Sequence, residues 1–123
     1  MDFELPTLNR SLIIIRVKQP YVDWANQLAD RDEAEKASPH TLTSMNEEPR
    51  AYLIPEIFDP DELEMYLERS WILIFEMLLS DWTSDQTLWP KKRTFKMFRD
   101  WFEIQCSSMV YDLWSKDRLK YTF

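Results

Sequence analysis

The basic side chains of residues 88–99 are the strongest candidate for chemistry in this chain. They begin in the stretch LWPKKRT (88–94) and continue along the helical pattern that follows, with no acidic residue between positions 86 and 99. Basic charge at a helix N-terminus opposes the helix dipole, whereas the free N–H groups there attract anions. We therefore predict a binding surface that consists of Trp89, Lys91, Lys92, Arg93, Lys96 and Arg99, with Arg16 and Lys18 nearby. The competing interpretation is that these bases pair with the chain's own acids or are only solvated.

The distribution of charge limits the partners that this surface can bind. The formal net charge is −7, yet residues 1–89 hold 7 basic and 18 acidic residues, whereas residues 90–123 hold 8 basic and 4 acidic residues. A strongly acidic chain repels nucleic acid and anionic membranes, so we expect neither as a partner. A local basic surface remains suited to an acidic protein or a small anion.

Catalytic and metal-binding chemistry has little support in the sequence. His40 is the only histidine and lies in a stretch rich in Pro, Ser and Thr, where a catalytic side chain would be poorly supported. Cys106 is the only cysteine, and we expect it to behave as a small apolar residue. The acidic residues from Asp59 to Glu64 indicate the start of a helix, because they lack the spacing and the glycine of a calcium loop. We expect no metal and no cofactor.

The chain contains no glycine in 123 residues. Phosphate-binding loops, dinucleotide-binding turns and nucleophile elbows rely on glycine, so the composition disfavours those classes of enzyme. The single cysteine rules out an internal disulfide, and the acidic N-terminus lacks the pattern of a signal peptide. The longest apolar stretch, 71–79, is far shorter than the roughly 20 residues that cross a bilayer. Together these features predict a cytoplasmic protein.

Three strands are predicted to position these residues. Residues 10–18 form a nearly continuous apolar run, which we expect to be a central strand covered on both faces. Residues 50–58 form a second strand, which Pro55 places at an edge or ends early. Residues 106–114 alternate in polarity and predict the third strand, and the basic, aromatic residues 116–123 are a candidate for a short edge strand.

Three helices are predicted between the strands. The first begins at Pro20 and continues into the charged residues 30–37; the second runs from a capping Asp59 to about Ser80. The second half of that helix, WILIFEMLL, is apolar on most sides and predicts the most buried helix. A third helix covers 94–104, and residues 38–49 form a polar surface loop. The order β-α-β-α-α-β predicts a single α+β domain in two layers, with about three strands and three helices packed on them.

The tryptophans divide into two groups by their surroundings. Trp71, Trp101 and Trp114 lie in apolar, periodic segments and are predicted to belong to the core. Trp82 and Trp89 lie in a predicted loop, where we expect them to anchor the loop. Trp89 also has a second interpretation, as an interface residue beside Lys91.

Two segments of the chain resemble known sequences. Residues 9–21, NRSLIIIRVKQPY, and residues 88–95, LWPKKRTF, are similar to segments of small bacterial proteins that have no assigned function. The resemblance implies a compact bacterial domain. It implies no catalytic or binding residues.

The sequence favours a non-enzymatic interaction module that binds another protein, or a second copy of itself, through residues 89–99. One alternative is an enzyme for a small molecule or a phosphate-bearing ligand, which would use Arg16, Lys18, Tyr21 and the same bases. A second alternative treats residues 23–68, with 13 acidic and 3 basic residues, as a mimic of nucleic acid.

Overall fold

A three-stranded antiparallel sheet is the central element of the computed structural model, which describes residues 5–29 and 38–123. Its strands are β1 (Ser11–Val17), β2 (Arg50–Ile54) and β3 (Phe102–Ser107), in the order β2-β1-β3. The predicted α+β class and the central position of β1 are confirmed. Strand β2 lies at an edge and ends before Pro55, because proline offers no N–H to the ladder.

The helices of the described residues are α1 (Gln19–Ala29), α2 (Leu42–Met45), α3 (Pro60–Ser80) and α4 (Phe95–Trp101), with a short 3₁₀ helix at Gln86–Leu88. Helix α3 begins as predicted, because the Asp59 carboxylate accepts the N–H of Glu62 at 2.9 Å. This bond lowers the pKa of Asp59, since it stabilises the ionised carboxyl. The predicted continuation of α1 through 30–37 lies outside the described residues.

The predicted loop 38–49 contains a helical turn and is fixed to the sheet. Thr41 and Ser44 form a reciprocal cap at the start of α2. The Asn46 side chain accepts the N–H of Val17 at 2.8 Å and donates to the Val17 carbonyl at 3.0 Å. This pair of hydrogen bonds satisfies the backbone groups of Val17 at the end of β1, where the ladder with β2 has already ended at Ile15.

The third strand lies earlier than predicted. Helix α4 ends at Trp101 instead of residue 104, and β3 occupies 102–107 instead of 106–114. Phe102 lies four residues after Phe98, which is the spacing of core residues in a helix. The sequence therefore predicted an end of α4 that lies too late in the chain. Within the described part of the chain, the alternating residues after Ser108 make only an isolated bridge, Thr7 with Tyr111, and residues 116–123 form no strand.

The core covers one face of the sheet. Ser11, Ile13 and Ile15 of β1 are buried on the face that carries the helices, whereas Leu12 and Ile14 on the other face are only half-buried. Leu53, the ladder partner of Leu12, is 50% exposed. The expectation that β1 is covered on both faces is therefore wrong, and the fold has two layers.

Aromatic side chains join α3 and α4 to β3. Phe75, Phe98 and Phe102 are almost fully buried, and their ring centroids lie 5.3–6.1 Å apart. Such spacing favours tilted and edge-to-face ring contacts. The group fixes which side of α3 points inward.

Replacing Phe98 with alanine tests this aromatic contact. The Phe98→Ala variant is expected to lose about 3–5 kcal/mol of unfolding free energy, because a fully buried ring leaves a cavity between α3, α4 and β3. Urea denaturation measures the change. The control is Leu73→Ala on the exposed side of α3, which should change stability by less than about 0.5 kcal/mol. Equal losses in both variants would contradict the assigned orientation of α3.

Candidate functional site

Trp89 is an internal anchor of the loop before α4. Its side chain is buried, and its indole N–H donates to the Thr83 carbonyl at 2.9 Å. This bond ties the start of the basic segment to the residues that follow α3. The interpretation of Trp89 as a loop anchor fits this geometry, and its ring offers little surface to a partner.

Arg93 is also held within the fold. Its guanidinium donates to the Pro90 carbonyl at 2.8 Å, pairs with Glu76 of α3 at 3.3 Å, and lies 5.7 Å from the centre of the Trp89 ring. Cation–π contact and ion pairing together hold the loop against α3. Glu76 lies one helical turn beyond Ile72 and Leu73, so Arg93 stands at the border of the exposed side of α3.

Lys96 and Arg99 on α4 both have acidic partners. Lys96 pairs with Asp100 at 2.8 Å, which raises the pKa of the lysine, because a hydrogen bond to the carboxylate favours the charged form. Arg99 pairs with Glu64 of α3 and lies over the Phe95 ring. Such exposed pairs contribute little stability, so the two basic groups remain accessible to a competing acidic partner.

Arg16 and Lys18 lie on different sides of the structure. Arg16 lies opposite Glu103 on the uncovered face of the sheet and donates to the Gln105 side chain at 2.8 Å. Lys18 lies at the end of α4, where its ammonium donates to the Arg99 carbonyl at 3.0 Å and its backbone N–H donates to Trp101. The structure brings Lys18 close to Arg99, whereas Arg16 faces away from the helices.

Lys91 and Lys92 form the exposed tip of the basic segment. Among the residues that the structure describes, neither lysine has an ion pair. Lys92 has a φ of 55°, the only described residue with a positive φ. A lysine in this left-handed region carries strain of about 1–2 kcal/mol, since its Cβ approaches the next carbonyl. Strain of this kind concentrates at functional sites.

The outward side of α3 carries a second surface that the sequence interpretation missed. We call the exposed side chains there the outer face of α3: Met65 (53% exposed), Ile72 (53%), Leu73 (64%) and Met77 (36%). The helix predicted to be the most buried contributes five buried residues, but its outward side is exposed, because the second layer of the fold is the sheet and it covers one side of the helix only. The sequence did contain a signal for this exposed surface: a helix that is apolar on most sides, in a chain with few other elements to cover it.

Residues after β3 add further exposed apolar surface. Trp114 is 61% exposed, which contradicts its predicted place in the core. The backbone N–H of Trp114 donates to the Asp112 carboxylate at 2.8 Å, and the Lys116 ammonium lies 3.8 Å from the centre of the Trp114 ring. Tyr121 and Phe123 are exposed as well. The aromatic side chains of this stretch are therefore not part of the core that the described residues form.

Groups with catalytic potential are occupied or isolated. The Tyr21 hydroxyl donates to the Leu78 carbonyl beside a cleft of about 200 Å³, and burial raises its pKa well above the ordinary value. Burial also raises the pKa of the half-buried Cys106 thiol, which keeps it protonated. His40 packs edge-on against Trp82, and its Nε2 has no hydrogen-bond partner among the described residues. An enzyme that combines Tyr21 with Arg16 and Lys18 gains no support from this arrangement.

Comparison with protein-family models, curated proteins and solved structures found no match to this chain. Among the described residues, no group of three or more His, Cys, Asp and Glu side chains is arranged to hold a metal ion. No helix in ranges 5–29 and 38–123 has the length and apolarity to cross a membrane.

Glycine substitution tests the strain at Lys92. We expect Lys92→Gly to raise the unfolding free energy by roughly 0.5–1 kcal/mol, since glycine relieves the positive φ at a smaller entropic cost. Lys91→Gly is the matched control, because Lys91 itself has no positive φ, and this variant should lose up to about 1 kcal/mol. Thermal and urea unfolding measure both variants. Similar losses in the two would show that Lys92 carries no strain.

Proposed function

We propose that this protein is a non-enzymatic protein-interaction module. The observation that carries the proposal is the outer face of α3, where four large apolar side chains are exposed beside a charged loop. Exposed apolar side chains that lie together on one element, with a charged border, are typical of protein-binding sites. A cytoplasmic location, expected from the single cysteine, belongs to the same proposal.

The predicted basic surface forms part of this contact region. Arg93 borders the outer face of α3 through Glu76, and Arg99 joins α4 to the same helix through Glu64. Lys91 and Lys92 extend the border into solvent. A partner that fits this region presents an apolar patch with acidic residues on one side. In this arrangement the apolar face supplies affinity, and the lysines guide association and orientation.

The rigidity of the region supports binding without a large rearrangement. Trp89, Arg93 and the Thr94 cap fix the loop, and the Thr94 hydroxyl accepts the N–H of Met97 at 3.1 Å. A loop held in this way loses little entropy when a partner binds. The strained Lys92 lies at the tip of this fixed loop, where it faces an approaching partner.

Partner capture with paired variants tests the proposal. Tagged wild-type chain, expressed in the cells that naturally produce it, is expected to retain a stoichiometric protein after nuclease treatment. Ile72→Glu should abolish the capture, because a charge in the apolar face costs a few kcal/mol on desolvation. Lys91→Glu combined with Lys92→Glu should weaken it at least tenfold, mainly through the association rate. Both variants leave Arg93 and the core intact.

Leu53→Glu is the control, because Leu53 has similar exposure but lies on the uncovered face of the sheet. Capture that survives in all three variants would overturn the proposed surface. Loss in the Leu53 variant alone would move the contact to the sheet.

A further inference from the structure

A cleft of about 200 Å³ lies where the ends of β1 and α3 meet α1 and β2. Its floor consists of the buried side chains of Ile15, Tyr21 and Leu78, and the half-buried Val17 and Met45 form its walls. This volume is below the roughly 300–1,000 Å³ of sites for drug-sized ligands, and such sites combine apolar walls with a few polar groups. The cleft therefore suits a short molecule that has an apolar part.

Charged side chains of both signs lie at the mouth of this cleft. The Nε–H of Arg50 donates to the Asp81 carboxylate at 3.2 Å, and the two side chains are 57% and 35% exposed. Glu48 also lines the cleft and has no ion pair among the residues that the structure describes. The contact of Arg50 with Asp81 uses one of the five N–H donors of a guanidinium, and an exposed pair of this kind opens at little cost. A ligand at the mouth therefore meets a cation and an anion side by side.

The aromatic side chains of the cleft add no charge of their own. Burial, and then the nearby Asp81, raise the pKa of Tyr21, so its phenol stays protonated at neutral pH, and its hydroxyl donates to the Leu78 carbonyl. Trp82 is 39% exposed, and the His40 ring packs against it with 4.5 Å between the ring centroids. The face of an indole attracts an organic cation. Charge in the lining is thus confined to the mouth, and apolar surface lies below it.

The side of the cleft next to α2 is held in place by the fold. Asn46 bonds both backbone groups of Val17, at 2.8 and 3.0 Å. The residues before α2 are fixed to α1, since the Asn26 amide donates to the His40 carbonyl at 3.0 Å and accepts the His40 N–H at 2.9 Å. A site that is formed in advance loses little entropy when a ligand binds. A small ligand therefore needs only a few contacts to bind here.

We propose that this cleft binds a free α-amino acid with a short apolar side chain. The apolar side chain packs on Ile15 and Leu78, the α-carboxylate accepts from Arg50, and the α-ammonium donates to Asp81 and Glu48. The two charged groups of an α-amino acid are attached to one carbon, so they are adjacent, as are the guanidinium and the carboxylate of the pair at the mouth. A ligand with only one charge leaves the opposite charge of the mouth unmatched. None of the side chains on the outer face of α3 lines this cleft, so the inference is independent of the proposed function.

Titration of the ¹⁵N-labelled full chain with L-valine, L-leucine and L-methionine tests the inference by NMR. At least one of them is expected to shift the indole N–H signal of Trp82 with saturation and a dissociation constant of about 1 mM or lower. The indole signal of Trp114, which lies away from the cleft, should not move. Isopentylamine and 4-methylpentanoate are leucine without its carboxylate and without its ammonium, and each should bind at least tenfold more weakly than leucine. No saturable shift with any of the three amino acids overturns the inference, and so does equal or tighter binding of the amine or the acid.

Isosteric variants then locate the site. Arg50→Gln and Asp81→Asn should each weaken amino-acid binding at least tenfold, because each removes one of the two charges that the ligand matches. Arg16→Gln and Asp100→Asn make the same changes away from the cleft and should bind as wild type, and thermal unfolding checks that all four variants are folded. Unchanged binding in both cleft variants overturns the inference. Ile72→Glu should leave amino-acid binding unchanged, so the cleft and the protein-binding surface fail or stand separately.

Discussion

Phe75 on α3 has no exposed side-chain surface, and its ring centroid lies 5.3–6.1 Å from those of Phe98, Trp101 and Phe102. This contact joins the long helix to α4 and, through Phe102, to β3. It determines the rotation of α3 about its axis. With Phe75 and Leu78 directed inward, Met65, Ile72 and Leu73 are directed outward, and the two-layer fold has no described element to cover them. The exposed apolar face is thus a consequence of the core.

The basic segment depends on the same contact. Because α4 packs on α3, Arg93 reaches Glu76 and Arg99 reaches Glu64, so most of the predicted binding charge is held by the fold. Lys91 and Lys92 remain outside these pairs. Both interpretations of the segment are therefore partly met: Arg93, Lys96 and Arg99 pair with the chain's own acids, whereas Lys91 and Lys92 have no ion pair among the described residues. The binding role itself remains a proposal.

Local signals predicted the fold well and the surfaces poorly. Asp59 with Pro60 marked the start of α3, Pro55 ended β2, and the β-branched run of β1 indicated the central strand, because each effect acts within a few residues. The boundary at Trp101 was missed, since Phe102 suits both a helix and a strand. Trp114 was predicted to lie in the core, and the exposed side of α3 was not predicted, because apolarity alone does not show whether a partner element exists. That depends on the number of layers, which is a property of the whole chain.

Solvent paramagnetic relaxation enhancement of ¹³C-labelled methionine methyl groups measures the orientation of α3 directly. The account predicts strong line broadening by a soluble paramagnetic agent at Met65 on the outer face of α3, which is 53% exposed. The half-buried Met45 and Met97 should broaden less. Broadening of Met65 that is equal to or weaker than that of Met97 would contradict the rotation of α3 that the Phe75 contact imposes.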